Sequence, residues 1–210
     1  LMLNKINDNG GNIAIPVYSY SYTKNKIFDM LNTPSDLDEL SEFLRMNNKS
    51  KRTADANFSY LLFGDKFSKK HYEVSNYSSF GEGSLIEEVF NKDGYLGAIG
   101  GALEYFTEIH FFERKLNMNY RFDKDFYGTT IDKESFKFNN RITYYCRDLN
   151  LNYVNSFKQL RKDLVEENLI EVWNIPSFNL KIEVIKMKVL FDFVKSKLEL
   201  DSKYLCSYGE

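Results

Sequence analysis

Apolar residues recur at two different spacings along this 210-residue chain, and this change of period limits its fold more than any other feature. Every second residue is apolar or aromatic over Ile13–Tyr22 and again from Leu116 to Phe122, which predicts β-strands. A spacing of three and four residues, as in Leu37–Leu44 and Met187–Leu198, predicts amphipathic helices. Because both patterns are present without a repeat, we expect an α+β protein that has a mixed N-terminal region with antiparallel strands and helices.

Composition excludes several classes of protein. Hydrophobic residues make up 43% of the chain and aromatic residues 16%, which is too much apolar material for a disordered protein. The formal net charge is −2, so any contact with nucleic acid would need a local basic patch. Two cysteines provide neither a disulfide framework nor a four-cysteine zinc site.

The location of the protein is predicted from the same features. Low cysteine usage suits a reducing compartment, so we expect the cytoplasm or an organelle matrix. The N-terminal residues lack the long apolar region of a signal peptide, which argues against secretion. No segment approaches the ~20 apolar residues of a membrane-spanning helix. The excess of Asn, Lys, Phe, Tyr and Ile, whose codons are rich in A and T, predicts an AT-rich genome.

The last third of the chain carries the most specific pattern. Residues 140–185 are predicted to form a helix, a short turn, a second helix and a two-stranded hairpin. The second helix has Phe157 and Leu164 on its apolar face, and Asn168 precedes Leu169 at the start of the hairpin. This order and spacing resembles a winged helix-turn-helix domain. The resemblance divides the chain into a mixed α+β region of unknown role, residues 1–135, and a winged-helix-like region, residues 136–210.

A winged helix implies a helix that enters the major groove of duplex DNA and presents polar side chains to base edges. The segment Asn139–Val165 has a formal charge of +3 in a chain that is −2, which supports such a contact. The residues predicted to bind nucleic acid are Asn155, Lys158, Gln159, Arg161 and Lys162.

One cluster of titratable residues has the composition of a catalytic or metal-binding site. Glu104, Glu108, His110 and Glu113 lie close in sequence, and carboxylates with a histidine can bind a metal or transfer protons. No second histidine lies nearby, because the only other one is His71. The cluster is therefore interpreted as a solvated acidic edge, and we expect no catalytic residue, no metal and no cofactor.

Two hypotheses for function follow. The first is a non-enzymatic nucleic-acid-binding protein, for example a replication or regulatory factor of a mobile element with an AT-rich genome. The alternative is a protein-binding or scaffolding subunit of a larger assembly, which could be mitochondrial. The aromatic-rich composition and the absence of a recognised catalytic motif suit this alternative. An enzyme ranks last.

Overall fold

Short strands and helices alternate along residues 10–208, which are the part of the chain that this computed structural model describes. The strands are β1 (Ile13–Pro16), β2 (Ile27–Asp29), β3 (Tyr60–Phe63), β4 (Tyr77–Ser78), β5 (Tyr95–Ile99), β6 (Arg121–Ile131), β7 (Lys137–Arg147), β8 (Tyr153–Asn155), β9 (Glu171–Ile175), β10 (Leu180–Lys186) and β11 (Cys206–Tyr208). The helices are α1 (Ser21–Lys24), α2 (Glu39–Asn47), α3 (Leu85–Asn91), α4 (Ile109–Lys115), α5 (Lys158–Glu166) and α6 (Met187–Leu200). This mixture confirms the α+β class.

The chain divides into two units. The first unit comprises residues 10–79, 83–85 and 123–144, and the second comprises residues 80–82, 86–122 and 145–208. The chain thus leaves the first unit and returns to it. The division of the chain after residue 135 stays a prediction. The residues on which the expectation against a signal peptide depends, 1–9, lie outside the described part of the chain.

The first unit contains a two-stranded and a four-stranded sheet. Strands β1 and β3 pair antiparallel, with Ile13 opposite Phe63. The second sheet has the order β2-β6-β7-β4, and each edge strand runs parallel to its neighbour. Buried side chains from β2, β7, helix α1 and the segments between elements pack together in one core cluster, which consists of Tyr22, Phe28, Met30, Ala54, Ala56 and Ile142.

Helix α2 buries two polar side chains, Ser41 and Arg45. Arg45 is buried because its guanidinium pairs with Glu42 and donates to the carbonyl oxygen of Leu31 at 2.8 Å. Leu40 and Phe43, which the sequence placed on the apolar stripe of this helix, are exposed instead. The hydrogen bonds that the buried Arg45 guanidinium needs therefore determine which face of α2 points inward.

The N-terminus of α2 offers a test of local stability. The Asp38 carboxylate accepts a hydrogen bond from the Ser41 backbone N–H at 2.7 Å and caps the helix. We expect Asp38→Ala to lower the free energy of unfolding by about 1 kcal/mol, because this N–H then loses its partner. Urea denaturation measures the loss, and Glu39→Ala on the same turn is the control. Equal stability of the two variants would contradict the capping role.

The second unit is built around a three-stranded antiparallel sheet. Its order is β5-β10-β9, and Leu180 of β10 lies opposite Ile175 of β9. Strands β8 and β11 form a separate antiparallel pair. An aromatic cluster packs within this unit, with ring centroids 5.4 to 6.2 Å apart, and consists of Phe90, Phe111, Phe112 and Phe191.

The predicted winged-helix architecture is wrong. The helix α5 and the β9–β10 hairpin are present, but residues 137–147, which include the expected first helix, form strand β7. Ile142 and Tyr145 are spaced for a helix, yet this segment is rich in β-branched and aromatic residues. Pairing with β6 on one side and β4 on the other decides in favour of the strand. Strand β10 also pairs with β5, so the hairpin belongs to a larger sheet.

Within residues 10–208, none of the helices has the length and apolar character needed to cross a membrane.

Candidate active site

Helix α4 places a histidine and a glutamate on one buried face. His110 and Glu113 are three residues apart, so their side chains project from the same side of the helix. The His110 Nδ1 atom lies 2.6 Å from Oε2 of Glu113. The His110 side chain is 8% exposed and that of Glu113 is 0% exposed. The pair is therefore largely shielded from solvent.

Two further side chains hold the Glu113 carboxylate. The Tyr120 hydroxyl donates a hydrogen bond to Oε1 at 3.0 Å. Arg121, whose side chain is 1% exposed, places Nε 2.6 Å from Oε2. A buried carboxylate is costly unless it is paired with a cation and hydrogen-bonded, and both conditions are met here.

Arg121 is itself fixed at both terminal nitrogens. Nη1 donates to the carbonyl oxygen of Tyr145 at 2.9 Å, and Nη2 donates to Oδ1 of Asn155 at 2.7 Å. Nη2 also lies 3.5 Å from Nε2 of His110. Arg121 lies in β6, Tyr145 in β7 and Asn155 in β8. Segments that are distant in sequence therefore complete the surroundings of the histidine.

Aromatic rings surround the imidazole. The ring centroids of Phe80 and Phe157 lie 5.7 Å and 5.9 Å from that of His110, both at steep angles. Apolar walls lower the local dielectric constant and strengthen the contacts among the charged groups. A histidine held by a carboxylate in such surroundings is suited to general acid–base chemistry.

Two groups beside Glu113 have raised pKa values. Burial is the main reason that the pKa of the Tyr120 hydroxyl lies above its ordinary value, and the negative charge of Glu113 adds to it. Burial likewise raises the pKa of the Cys206 thiol, again with a contribution from Glu113. Both groups stay protonated at neutral pH, so Tyr120 remains a hydrogen-bond donor to Glu113.

The residues predicted to bind nucleic acid lie along β8 and α5. Asn155 accepts the hydrogen bond from Arg121, and Arg161 pairs with Glu183 of β10. Gln159 donates to Asp163, Lys162 lies 3.9 Å from Glu166, and Lys158 is exposed at the first position of α5. Contact of these five side chains with nucleic acid stays a prediction that the structure does not test.

The interpretation of the acidic cluster as a solvated edge is wrong. Glu108, His110 and Glu113 are all buried, and Ile109, Phe111 and Phe112 are buried with them on the same short helix. A His-x-x-Glu spacing inside such an apolar stretch was the available signal, because charged residues rarely lie among buried aromatics without a function.

A family model described as aminoglycoside 3-N-acetyltransferase matches residues 6–199 of the chain. Among solved structures, AAC-IIIb in a binary complex with CoASH has a TM-score of 0.73 and 15% identity, over 95% of this chain and 79% of that one. The aminoglycoside acetyltransferase AAC(3)-IVa, as a histidine-to-alanine mutant in complex with a gentamicin, has a TM-score of 0.63 and 19% identity, over 93% and 71% of the two chains. The YokD protein from Bacillus subtilis has a TM-score of 0.68 and 13% identity, over 91% and 76%.

At these identities the solved structures establish the fold alone, and no curated protein sequence matches the chain. The family match nevertheless overturns the predicted function, because it includes the region assigned to a winged helix. The prediction of a non-enzymatic nucleic-acid-binding protein is wrong, and so is the alternative of a scaffolding subunit. The predicted partners, which were duplex DNA or the protein subunits of a larger complex, are also wrong, since the matched family is one of acetyltransferases.

Proposed function

The chain belongs to the aminoglycoside 3-N-acetyltransferase family, and from this premise we propose that it transfers an acetyl group to an amino group of an aminoglycoside. Acetyl-coenzyme A is the proposed donor, since a solved structure of the same fold holds CoASH. In this reaction the thioester supplies the acetyl group, the amine nitrogen forms the amide bond, and the carbon–sulphur bond breaks to release a thiol. We assign no residue to the binding of coenzyme A.

The observation that carries this proposal is the buried His110–Glu113 pair. An amine that becomes an amide must lose a proton, and a positioned histidine is the usual acceptor. Nδ1 of His110 donates to the Glu113 carboxylate, so Nε2 is the atom that takes the proton from the amine. The same atom can then return the proton to the departing thiolate.

Glu113 orients the imidazole and stabilises the imidazolium that forms when His110 accepts the proton. Its second oxygen, Oε1, is occupied by the Tyr120 hydroxyl, so the carboxylate cannot rotate away from the histidine. The rings of Phe80 and Phe157 exclude water from the sides of the imidazole. Each of these contacts prepares His110 for proton transfer before substrate binds.

The direct test is an acetyl-transfer assay. We expect the protein to convert acetyl-coenzyme A and gentamicin into free thiol and an aminoglycoside that is heavier by one acetyl group. Thiol release is followed colorimetrically and the product by mass spectrometry. Omission of gentamicin is the control, because thiol released without an acceptor reports only hydrolysis. Absence of an acetylated product from gentamicin and from related aminoglycosides would overturn the proposed function.

A further inference from the structure

Arg121 reaches both members of the His110–Glu113 pair. Its Nε lies 2.6 Å from Oε2 of Glu113, and its Nη2 lies 3.5 Å from Nε2 of His110. The imidazole therefore has a carboxylate at one nitrogen and a guanidinium at the other.

We propose that Arg121 is a positioning residue that holds His110 in the tautomer with its proton on Nδ1 and its lone pair on Nε2. This inference rests on the proposed function, because a base must hold a free lone pair before the substrate arrives. The role is distinct from that of Glu113, which orients the imidazole through Nδ1.

Hydrogen-bonding capacity supports the assignment of the tautomer. A guanidinium carries only donors, so the nitrogen that faces Nη2 of Arg121 must be an acceptor. An ionised carboxylate carries only acceptors, so the nitrogen that faces Glu113 must carry the proton. Glu113 and Arg121 therefore favour the same tautomer of His110, in which Nε2 carries the lone pair and can act as the base.

Charge supports the same tautomer. A positive guanidinium beside Nε2 disfavours a proton on that nitrogen, and a negative carboxylate beside Nδ1 favours one there. Arg121 and Glu113 therefore act on the two nitrogens of the imidazole in the same sense. Other titratable groups of the second unit in this region are Glu108, two residues before His110 on the chain, Tyr120 and Cys206, which interact with Glu113, and Lys203, which lies over the Tyr120 ring.

The anchoring of Arg121 leaves the lone pair available to substrate. Nη2 makes its short hydrogen bond, 2.7 Å, to Oδ1 of Asn155, and Nη1 is held by the Tyr145 carbonyl oxygen. The contact from Nη2 to Nε2 of His110 is long at 3.5 Å, at the limit of a hydrogen bond. A substrate N–H can therefore replace it at small cost, while the positive charge stays in place.

Nitrogen-15 NMR of the histidine side chains tests the proposal without any substrate. The chain has two histidines, so His71→Asn identifies the signals of His110. We expect the Nδ1–H tautomer in the wild-type protein. In Arg121→Gln, whose neutral amide can also accept a hydrogen bond, part of the population is expected to move to the Nε2–H tautomer, whereas Arg121→Lys, which keeps the charge and carries only donors, is expected to retain the Nδ1–H tautomer.

Arg147→Gln is the matched control, because Arg147 lies in the same unit and donates to the Tyr153 carbonyl oxygen. It is expected to leave the tautomer of His110 unchanged. An Nε2–H tautomer in the wild-type protein would overturn the proposal even if Arg121→Gln fails to fold. An unchanged proportion of the Nδ1–H tautomer in folded Arg121→Gln would overturn it as well.

The acetyl-transfer assay provides the kinetic counterpart. Arg121→Gln is expected to lower kcat, whereas Arg121→Lys, which keeps the charge, is expected to retain most of it; a purely structural defect would lower the activity of both variants alike. If the wild-type protein acetylates no aminoglycoside but the NMR results hold, the proposed function fails and the role of Arg121 stands. If acetylation occurs and folded Arg121→Gln keeps the wild-type kcat, the role of Arg121 is wrong.

Discussion

Replacing His110 by glutamine is expected to lower kcat for acetyl transfer by about 10²- to 10⁴-fold, the usual contribution of a general base. Glutamine retains a polar group that can face Glu113, but its amide cannot take up a proton at neutral pH. Because the base acts in the chemical step, KM should change little. Thiol release at saturating gentamicin and acetyl-coenzyme A measures the effect.

His71→Gln is the matched control for this variant. His71 is the other histidine of the sequence and is also buried, at 2% exposure, but it belongs to the first unit. We expect it to leave kcat unchanged, whatever it does to stability. Thermal unfolding of both variants shows whether they are folded under the assay conditions. A folded His110→Gln protein that retains most of the wild-type kcat would show that His110 is not the base.

The second large effect is expected at Glu183, a fully buried carboxylate on β10. Arg161 and Lys181 pair with it at 2.5 Å, and the backbone N–H of Leu103 donates to it at 3.2 Å. Burial by itself raises the pKa of Glu183, but the hydrogen bonds from these three groups outweigh it and lower the pKa to about 2. The ionised form is therefore strongly favoured in the folded protein.

This depressed pKa makes the stability depend on pH. Lowering the pKa of Glu183 from 4.5 in the unfolded chain to about 2 in the folded protein corresponds to about 3 kcal/mol of the free energy of unfolding. That contribution is complete above pH 4.5 and is lost as the pH falls toward 2, because the unfolded chain takes up the proton first. We therefore expect Glu183→Gln to lose about 3 kcal/mol at pH 7, and progressively less relative to the wild type below pH 4.5.

Urea denaturation of both proteins at several pH values measures this difference. Glu199→Gln serves as the control, because Glu199 is exposed and lies 4.0 Å from Lys195 in a surface pair of small energetic value. A constant difference between wild type and Glu183→Gln from neutral to acidic pH would contradict the predicted role of ionisation. Loss of stability in the control of equal size would contradict the role of burial.

Much of the local structure was predictable from hydrophobic periodicity. Helix α5, the β9–β10 hairpin and the C-terminal helix α6 lie where their apolar spacing placed them. The strand predicted over Ile13–Tyr22 ends at Pro16, and of the strand predicted over Leu116–Phe122 only the last two residues lie in β6. Residues 137–147 were predicted wrongly because a helical spacing and a β-rich composition coexist in them, and sheet pairing decides such cases. The rotation of α2 was missed because a buried arginine, Arg45, determines it.

Only some residues of the candidate site could be identified from the sequence. His110 and Glu113 are three residues apart, and their spacing could have been recognised. Tyr120, Arg121 and Asn155 could not have been assigned to them, since Asn155 is separated from His110 by the whole of β6 and β7. Without these partners a His–Glu pair cannot be distinguished from two solvated side chains.

The sequence by itself determined the class of the fold and the positions of several helices and strands, because the period of apolar residues is a local property. Only the tertiary structure decided that the acidic cluster on α4 is buried, and which charges lie next to His110. Burial and ion pairing depend on residues that meet through sheet pairing and packing, and the protonation state of a histidine depends on those neighbours. Charge counted along the chain therefore pointed to α5 and nucleic acid, whereas charge in its folded surroundings points to His110.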